Sequence, residues 1–426
     1  MGFSSWKWMA LAGLWVLLEA CGGGGISYTT ELMPFRGKNG QFGYINMDGE
    51  VVINPQFAYA LPFSEGLGAV NIGGTRKDGN IPQDGKWGFI DEQGRFIINP
   101  AYYSPPSEAY PWDLAGMAIA LHEGYQFSEG LAAVYNGQYW IYIDVQCNIY
   151  INDPKIRSAR KFKGGMANVY RDGYWGYIDT TYQTAGDEPT IAFEFLHPLD
   201  LDTSTNRIVA YHKSQEWVAF DKIETGPGTF RCQRVLPVHQ LLSSFHHGFA
   251  LAKPKLKREP ETALQKRQLA LVDMRGIFQL GCDSIVTNNC PNAFDKMGRY
   301  GHGLVPVLVG SKIGDLKNHP KPLGLTDNPG GKWGYADVNT GFLVFNPTFQ
   351  GAKGFREGFA PVQKGGLWGY MAPDGSMITG YEFLWADYFY GGLAAVRLGP
   401  THSDYLGRYA YLNRDGDVVW IEGPSN

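Results

Sequence analysis

The sequence predicts an all-β fold built as a tandem array, and two observations carry that prediction. The first is composition: 25 Tyr, 24 Phe and 12 Trp stand beside 56 Gly, while charged residues make up only 18% of the 426-residue chain. Such a mixture suits short strands joined by tight turns and is unlike a helical bundle or a disordered tail. The second is a motif written nine times, as "FGYIN" from Phe42, "WGFID" from Trp87, "WIYID" from Trp140, "WGYID" from Trp175, "WVAFD" from Trp217, "LALVD" from Leu269, "WGYAD" from Trp333, "WGYMA" from Trp368 and "YAYLN" from Tyr409. Repeats at such spacing belong to architecture, because one active site needs its constellation only once.

The shortest interval, from Trp140 to Trp175 and from Trp333 to Trp368, is 35 residues, and longer intervals are that unit with inserted loops. Within a strand alternate side chains point to opposite faces, so Trp87 and Phe89 share one face and Ile90 takes the other. Gly88 removes a side chain between them and lets a neighbouring backbone approach. Asp91 is placed to accept turn amides, with Gly94 at positive φ closing the turn. A second strand follows and ends in "INP" or "FNP" at Pro55, Pro100 and Pro347, where a residue without an amide hydrogen is expected to end the ladder. Further on stand "FSEGLGAV" from Phe63, "FSEGLAAV" from Phe127 and "FREGFAPV" from Phe355, so a unit reads as about three antiparallel strands.

Lys/x-Trp-Gly-Tyr/Phe-Ile-Asp followed by Phe-x-Glu-Gly-Leu-Ala-x-Val resembles the WG-repeat (KWG-repeat) family. The resemblance covers residues 38 to 422, strong at 38–180 and 330–422, and weak at 185–320, where Val218 and Ala270 replace the glycine. It implies an all-β repeat architecture often found in bacterial exported proteins, with no single chemistry and no catalytic residues to carry over. Trp87, Gly88, Trp140, Trp175, Gly176, Trp333, Gly334, Trp368 and Gly369 are then structural. The expected order is WG repeats 1–4 over 38–184, degenerate repeats with long insertions over 185–329, and WG repeats 7–9 over 330–426. About nine three-stranded units cannot each bury a face alone and must stack, as a solenoid or a toroid resembling a propeller. The 35-residue spacing is shorter than a usual four-stranded blade and favours a solenoid or irregular toroid.

The beginning of the chain is of another kind. Lys7 and an apolar run from Trp8 to Leu18 read as an export signal, a signal-peptide helix over 1–20 too short for a permanent membrane span. Leu18, Ala20 and Cys21 resemble the lipobox of a bacterial lipoprotein, although Glu19 departs from its pattern. The resemblance implies lipid attachment at Cys21 and, with Gly22 next, the outer membrane, while Gly22 to Gly25, with no side chains to pack, read as part of a flexible tether over 21–37. Exported chains can form disulfides, and Cys282 and Cys290 flank a polar loop that a local bridge would close. Cys147 and Cys232 lie far apart in sequence and give no reason to pair.

Neither catalytic motif nor metal-ligand spacing stands out, and no cofactor is expected. The net charge of −4 gives no general attraction to nucleic acid. The recurrent Asp91, Asp144, Asp179, Asp221, Asp273 and Asp337 read as turn caps, because Asn46 and Asn413 serve at the same place. His246–His247 and His122 have no partners in the sequence. Aromatics outside the repeat register remain as candidates for a partner: Tyr102, Tyr103, Tyr110 and Trp112 in segment 101–114, and Trp385 and Tyr388 in segment 381–392. Aromatic faces beside polar groups suit a sugar ring or a protein partner. The expected function is a cell-envelope lipoprotein scaffold, not an enzyme, that meets the membrane through its lipid and binds a protein or glycan with its body in the periplasm or at the cell surface. A polysaccharide hydrolase using carboxylates from different repeats, and a structural spacer, are the alternatives.

Overall fold

The computed structural model describes residues 32–75, 81–105, 124–196, 200–202, 206–214, 217–226, 229–235, 240–241, 249–253, 270–273, 278–280, 296–298, 300–309, 331–338, 340 and 342–422. Cys21, Tyr110, Trp112, His122, His246, His247, Cys282 and Cys290 lie outside these residues. All nine motif copies fall on strands, from Phe42–Ile45 and Lys86–Ile90 through to Leu367–Met371 and Tyr409–Leu412. The described strands make eight antiparallel sheets, five of four strands, two of three and one of seven.

The three-strand unit expected from the sequence is therefore one strand short in most places. In the sheet Tyr59–Ala60, Gly68–Ile72, Lys86–Ile90, Phe96–Tyr102 the additional strand is the two-residue piece before the "FSEG" turn. It is too short to give a periodic signal, and it continues the previous unit's last strand: Val51–Phe57 runs into Tyr59–Ala60, with the Ala58 amide donating to the Asn71 carbonyl at 2.9 Å. At the end of the array one strand serves two units. Phe383–Tyr390 pairs with Trp368 at its start and then with Leu393–Leu398, which joins two units into the seven-stranded sheet.

Inside a unit the tryptophans form the core, as expected, since Trp87, Trp140, Trp175, Trp333 and Trp368 are all buried. The glycine after the tryptophan and the proline of "INP" are partners. A Cβ on Gly88 would lie 2.7 Å from the Ile98 carbonyl oxygen and 2.8 Å from the Pro100 nitrogen. Gly43 meets Ile53 and Pro55 in the same way, and Gly334 meets Phe345 and Pro347. The pairing register slips there, between Trp87 and Phe89. Pro100 therefore does not end the ladder: strand Phe96–Tyr102 runs through it, because the slip leaves a place where no amide is needed.

Where the motif carries a tyrosine at its third position, the hydroxyl can tie one unit to the next; Phe89, Ala219 and Leu271 stand there in three other units. Tyr44 Oη donates to the Leu61 carbonyl at 2.7 Å, Tyr142 to Arg160 at 2.6 Å, Tyr335 to Lys353 at 2.7 Å and Tyr370 to Asp387 at 2.6 Å. Burial pushes all four hydroxyls well above the usual tyrosine pKa, so they remain donors. Tyr411, the same residue in the last unit, donates to the Pro34 carbonyl of the first unit at 2.9 Å. Phe35 packs edge-on against Trp420 with centroids 5.4 Å apart, and Arg36 stands 3.8 Å from Glu422. The array thus closes on itself, and the solenoid is ruled out in favour of a ring.

The "SEG" turns make a second set of ties. Ser64 Oγ donates to the Phe127 carbonyl at 2.6 Å, and the Glu65 carboxylate accepts the amides of Glu129 and Gly130 at 2.6 and 3.0 Å. The next turn repeats this, with Ser128 on the Phe162 carbonyl and Glu129 on the Gly165 amide. Glu357 accepts the amides of Gly391 and Gly392 and pairs with Arg414 at 2.9 Å. Glu65, Glu129 and Glu357 all sit at positive φ, a conformation that costs a non-glycine residue energy and that these amide bonds offset.

Two outcomes follow from this packing. Gly88→Ala should lower stability by about 1–3 kcal/mol, read as an earlier urea midpoint, because backbone lies on the far side of the added carbon; an unchanged midpoint would show that the close approach is dispensable. Burial alone would raise the Glu357 pKa, but Arg414 and the two amides outweigh it and hold it below the ordinary carboxylate value. A depressed folded pKa gives stability that is complete above the unfolded value of about 4.3 and is lost as pH falls from there through the folded pKa. Urea midpoints of the wild type should therefore fall more steeply than those of Glu357→Gln across that acid range, and parallel curves would remove Glu357 from the account.

Candidate functional site

Antiparallel pairing gives the ring two unlike ends. The turns after the motif lie at one end and are short: Asp91 Oδ1 accepts the amides of Gln93 and Arg95, Asp144 those of Gln146 and Asn148, and Asn46 and Asn413 do the same in their units. The "SEG" turns share this end, since Gly68 pairs with Ile90 and Leu131 with Asp144. Most long connections leave from the opposite end. Ile72 pairs with Lys86, Ala252 with Ala270, Val309 with Lys332 and Arg397 with Tyr409, so the segments between these residues all begin and finish there. Segment 103–123 leaves from the same end, because Tyr102 pairs with Trp87 at the start of its strand. Thr180–Thr190, between paired strands Tyr174–Asp179 and Ile191–Phe195, is a longer connection at the turn end.

The insertion end carries an open cleft of about 650 Å³ lined by Gln83, Tyr103, Ser104, Tyr135, Asn136, Gly137 and Gln138. Tyr103 is 44% exposed, and the Lys86 ammonium sits over its ring, 2.8 Å from the centroid. Its backbone is fixed on both sides: the amide donates to the Tyr135 carbonyl at 3.0 Å, and its carbonyl accepts Tyr125 Oη at 2.5 Å. Ser104 is held by the core, accepting Trp87 Nε1 at 2.8 Å and donating to the Pro82 carbonyl at 2.6 Å. Asn136 Oδ1 accepts the amides of Gln138 and Tyr139, which shapes the tight turn opposite Tyr103. An aromatic ring, a cation and several amide groups thus converge on rigid strand ends, a set that suits hydroxyl-rich or peptide ligands.

The aromatic candidates divide. Tyr103 stands in the cleft, but Tyr102, 8% exposed, points into the core with Oη 3.1 Å from Cys147 Sγ. Tyr102 is the last residue of its strand and turns its ring inward, whereas Tyr103 follows the strand and stays at the surface. Trp385 and Tyr388 belong to the sheet that closes the array, and they surround a side chain of the protein itself. Lys353 Nζ lies 5.5 Å from the Trp385 centroid, 5.2 Å from Tyr388 and 5.8 Å from Trp368, and donates to the Ala386 carbonyl at 2.8 Å. Burial lowers the Lys353 pKa, opposed by Asp387 at 3.5 Å. That aromatic box is filled from within, so it is not a place for an external cation. Tyr103 and the Trp385–Tyr388 pair stand in different sheets.

Nothing in the residue pattern marked Lys86, Gln83, Ser104, Asn136 or Gln138, because amides around a glycine read as an ordinary turn. Nor did it mark a hydrogen-bonded row in the degenerate middle, Ser214 Oγ to His212 Nδ1 at 2.8 Å and His212 Nε2 to Glu194 at 2.9 Å. The Ser214 amide donates to the same Nδ1 at 3.1 Å, so the row closes a turn. Among the described residues no group of three or more His, Cys, Asp or Glu is placed to hold a metal ion. Cys147 is exposed and Cys232 half-buried, both free thiols, and burial pushes the Cys232 thiol up to about 12. Under native conditions iodoacetamide should therefore modify Cys147 and spare Cys232 until urea is added, as peptide mass spectrometry can read; equal native labelling would contradict this placement.

Four segments, 42–75, 87–125, 333–368 and 368–399, match the family model of the WG containing repeat. No curated protein matches the chain. Among solved structures the chain is similar to a eukaryotic initiation factor, at 10% identity over 92% of this chain and 96% of that one, with a TM-score of 0.48. It is also similar to apo AztD from Citrobacter koseri, at 12% identity over 92% and 93% of the two chains, with a TM-score of 0.35. The four matched segments, two near each end of the array, support reading the chain as a WG-repeat protein.

Proposed function

We propose that the protein is a non-catalytic binding scaffold of the bacterial cell envelope, lipid-anchored through Cys21 with the outer membrane favoured, which holds a protein or glycan at the insertion end of its ring. The observation that carries this reading is the segregation of connections: short capped turns at one end, and most of the long insertions, with the Tyr103 cleft, at the other. Rigid strand ends that present variable loops are the common way for a repeat scaffold to hold a ligand. Further support comes from the acids Asp91, Asp144 and Asp337, whose oxygens accept the amides of their own turns, a use that speaks against a carboxylate pair for hydrolysis.

The segment to remove in a test is narrower than 101–114, since Ala101 and Tyr102 belong to a strand and Tyr103 is bonded to Tyr135. Deleting 106–114 should leave the urea midpoint within experimental error and reduce capture of the native envelope partner, or of a glycan on an array, by at least about tenfold, the equivalent of about 1.4 kcal/mol. Tyr103→Ala should act in the same direction. Full capture by both variants would remove the cleft from the binding reading, and a Cys21 peptide without lipid would remove the anchor.

A further inference from the structure

We propose that the turn end of the ring lies against a lipid bilayer and is a second, separate interaction surface; this rests on the anchored reading given above. The last strand of each unit begins at that end, directly after the capped turn. In Val51–Phe57 and Phe96–Tyr102 the run of exposure is identical residue by residue: two exposed positions, then a buried one. The two exposed positions hold Val51 and Val52 in one unit and Phe96 and Ile97 in the next. Leu343 and Val344 are exposed at the same place farther round the ring, and Phe342 beside them is 72% exposed.

Single exposed apolar side chains need no explanation, but the same rim position filled repeatedly by large aliphatic or aromatic pairs does. These pairs are not required by the core, which takes the third residue of each strand, Ile53 or Ile98. The adjoining turns use Asn and Asp for their caps, so polar residues are available to this rim and are absent from the paired positions.

The chain itself indicates what covers the rim. Met33 pairs with Ile45, so Leu32, the first described residue, sits at the turn end. Cys21 precedes it by 11 residues, which span at most about 36–40 Å when fully extended. A five-residue strand is only about 17 Å long, so a lipid on Cys21 would keep either end of the ring within reach of the surface. The tether therefore supplies proximity and the apolar rim supplies orientation, as for proteins that combine one lipid with a surface patch. With the turn end facing the bilayer, the insertion end and the Tyr103 cleft face outward.

The test uses the full lipidated chain in vesicles of phosphatidylcholine and phosphatidylethanolamine carrying a photoactivatable lipid. Peptides containing Val51–Val52, Phe96–Ile97 and Leu343–Val344 should be labelled at least about threefold more than those containing Gln83–Lys86, Asn136–Tyr139 and Tyr405–Tyr409. Val52→Ser, Ile97→Ser and Val344→Ser together, all at exposed positions, should remove most of that excess while circular dichroism is unchanged. Even labelling of both ends, or excess at the insertion end, overturns the proposal. In native membranes, crosslinks from the rim to a protein in place of lipid overturn it in favour of a protein partner. The mass of the Cys21 peptide reports on the anchor separately. Where it carries no lipid the anchored reading fails, and flotation of the unmodified chain with the same vesicles then decides the rim, flotation abolished by the triple substitution supporting it and absence of flotation overturning it.

Discussion

The side chain at the third position of the motif, buried between neighbouring units and, in Tyr44, Tyr142, Tyr335, Tyr370 and Tyr411, bonded across the seam by its hydroxyl, is the contact on which most of the ring depends. A sheet of three or four short strands has two faces and cannot cover either by itself, so its stability comes from its neighbours. The tyrosine of the motif meets that need twice, filling the space between sheets with its ring and satisfying a carbonyl of the next unit with its hydroxyl, as Tyr44 does with Leu61. For the bond to form, that carbonyl has to arrive in a fixed place. It does so because the previous unit's last strand runs directly into the next unit's first, and because the absent side chain at Gly43 lets that last strand lie close. Tryptophan, glycine, tyrosine and proline are thus parts of one geometric condition.

Closure is the same condition applied to the ends of the array. The first unit contains a strand Met33–Arg36 before its motif strand and lacks, among the described residues, the short strand that other units place beyond it. Tyr411 accordingly reaches Pro34, one strand deeper than Tyr44 reaches in its own neighbour. The contact is a variation on the repeated bond, and it brings Phe35 against Trp420 so that neither terminal sheet exposes its core face.

Strand content and the positions of the nine motif strands were legible from residue pattern, because the alternation of period two persists even where Val218 and Ala270 replace the recurring glycine. The tryptophan core and the turn-capping role of Asp91 and Asp144 were legible for the same reason. The fourth strand was not, since Tyr59–Ala60 is two residues long and owes its existence to pairing with Asn71 and Val70. Nor was the role of Pro100, whose missing amide is as compatible with a slipped register as with the end of a strand. The site fared worse. Tyr102 and Tyr103 are alike in sequence, and only where the strand ends, between them, puts one against Cys147 and the other in the cleft. Trp385 is 39% exposed, and the sequence did not show that Lys353 lies beside its ring and that of Tyr388.

Why chemistry should lie outside the motif follows from how fully the motif's polar groups are used. Asp91, Asp144, Asp179 and Asp337 accept the amides of their own turns, Asp221 within its strand pairs with Arg207, Tyr44, Tyr142, Tyr335 and Tyr370 donate to the next unit, and Glu65, Glu129 and Glu357 hold the following turn. A group committed to holding the ring together cannot change its partner for a ligand without loosening a seam between units. Recognition therefore has to be built from residues the ring does not need, and most long connections supply such residues at one end, opposite the rim of capped turns. The Tyr103 cleft illustrates the principle: Lys86, Asn136 and Gln138 are positioned by strand ends yet serve no repeated bond, so they can vary while the nine motif strands stay in register.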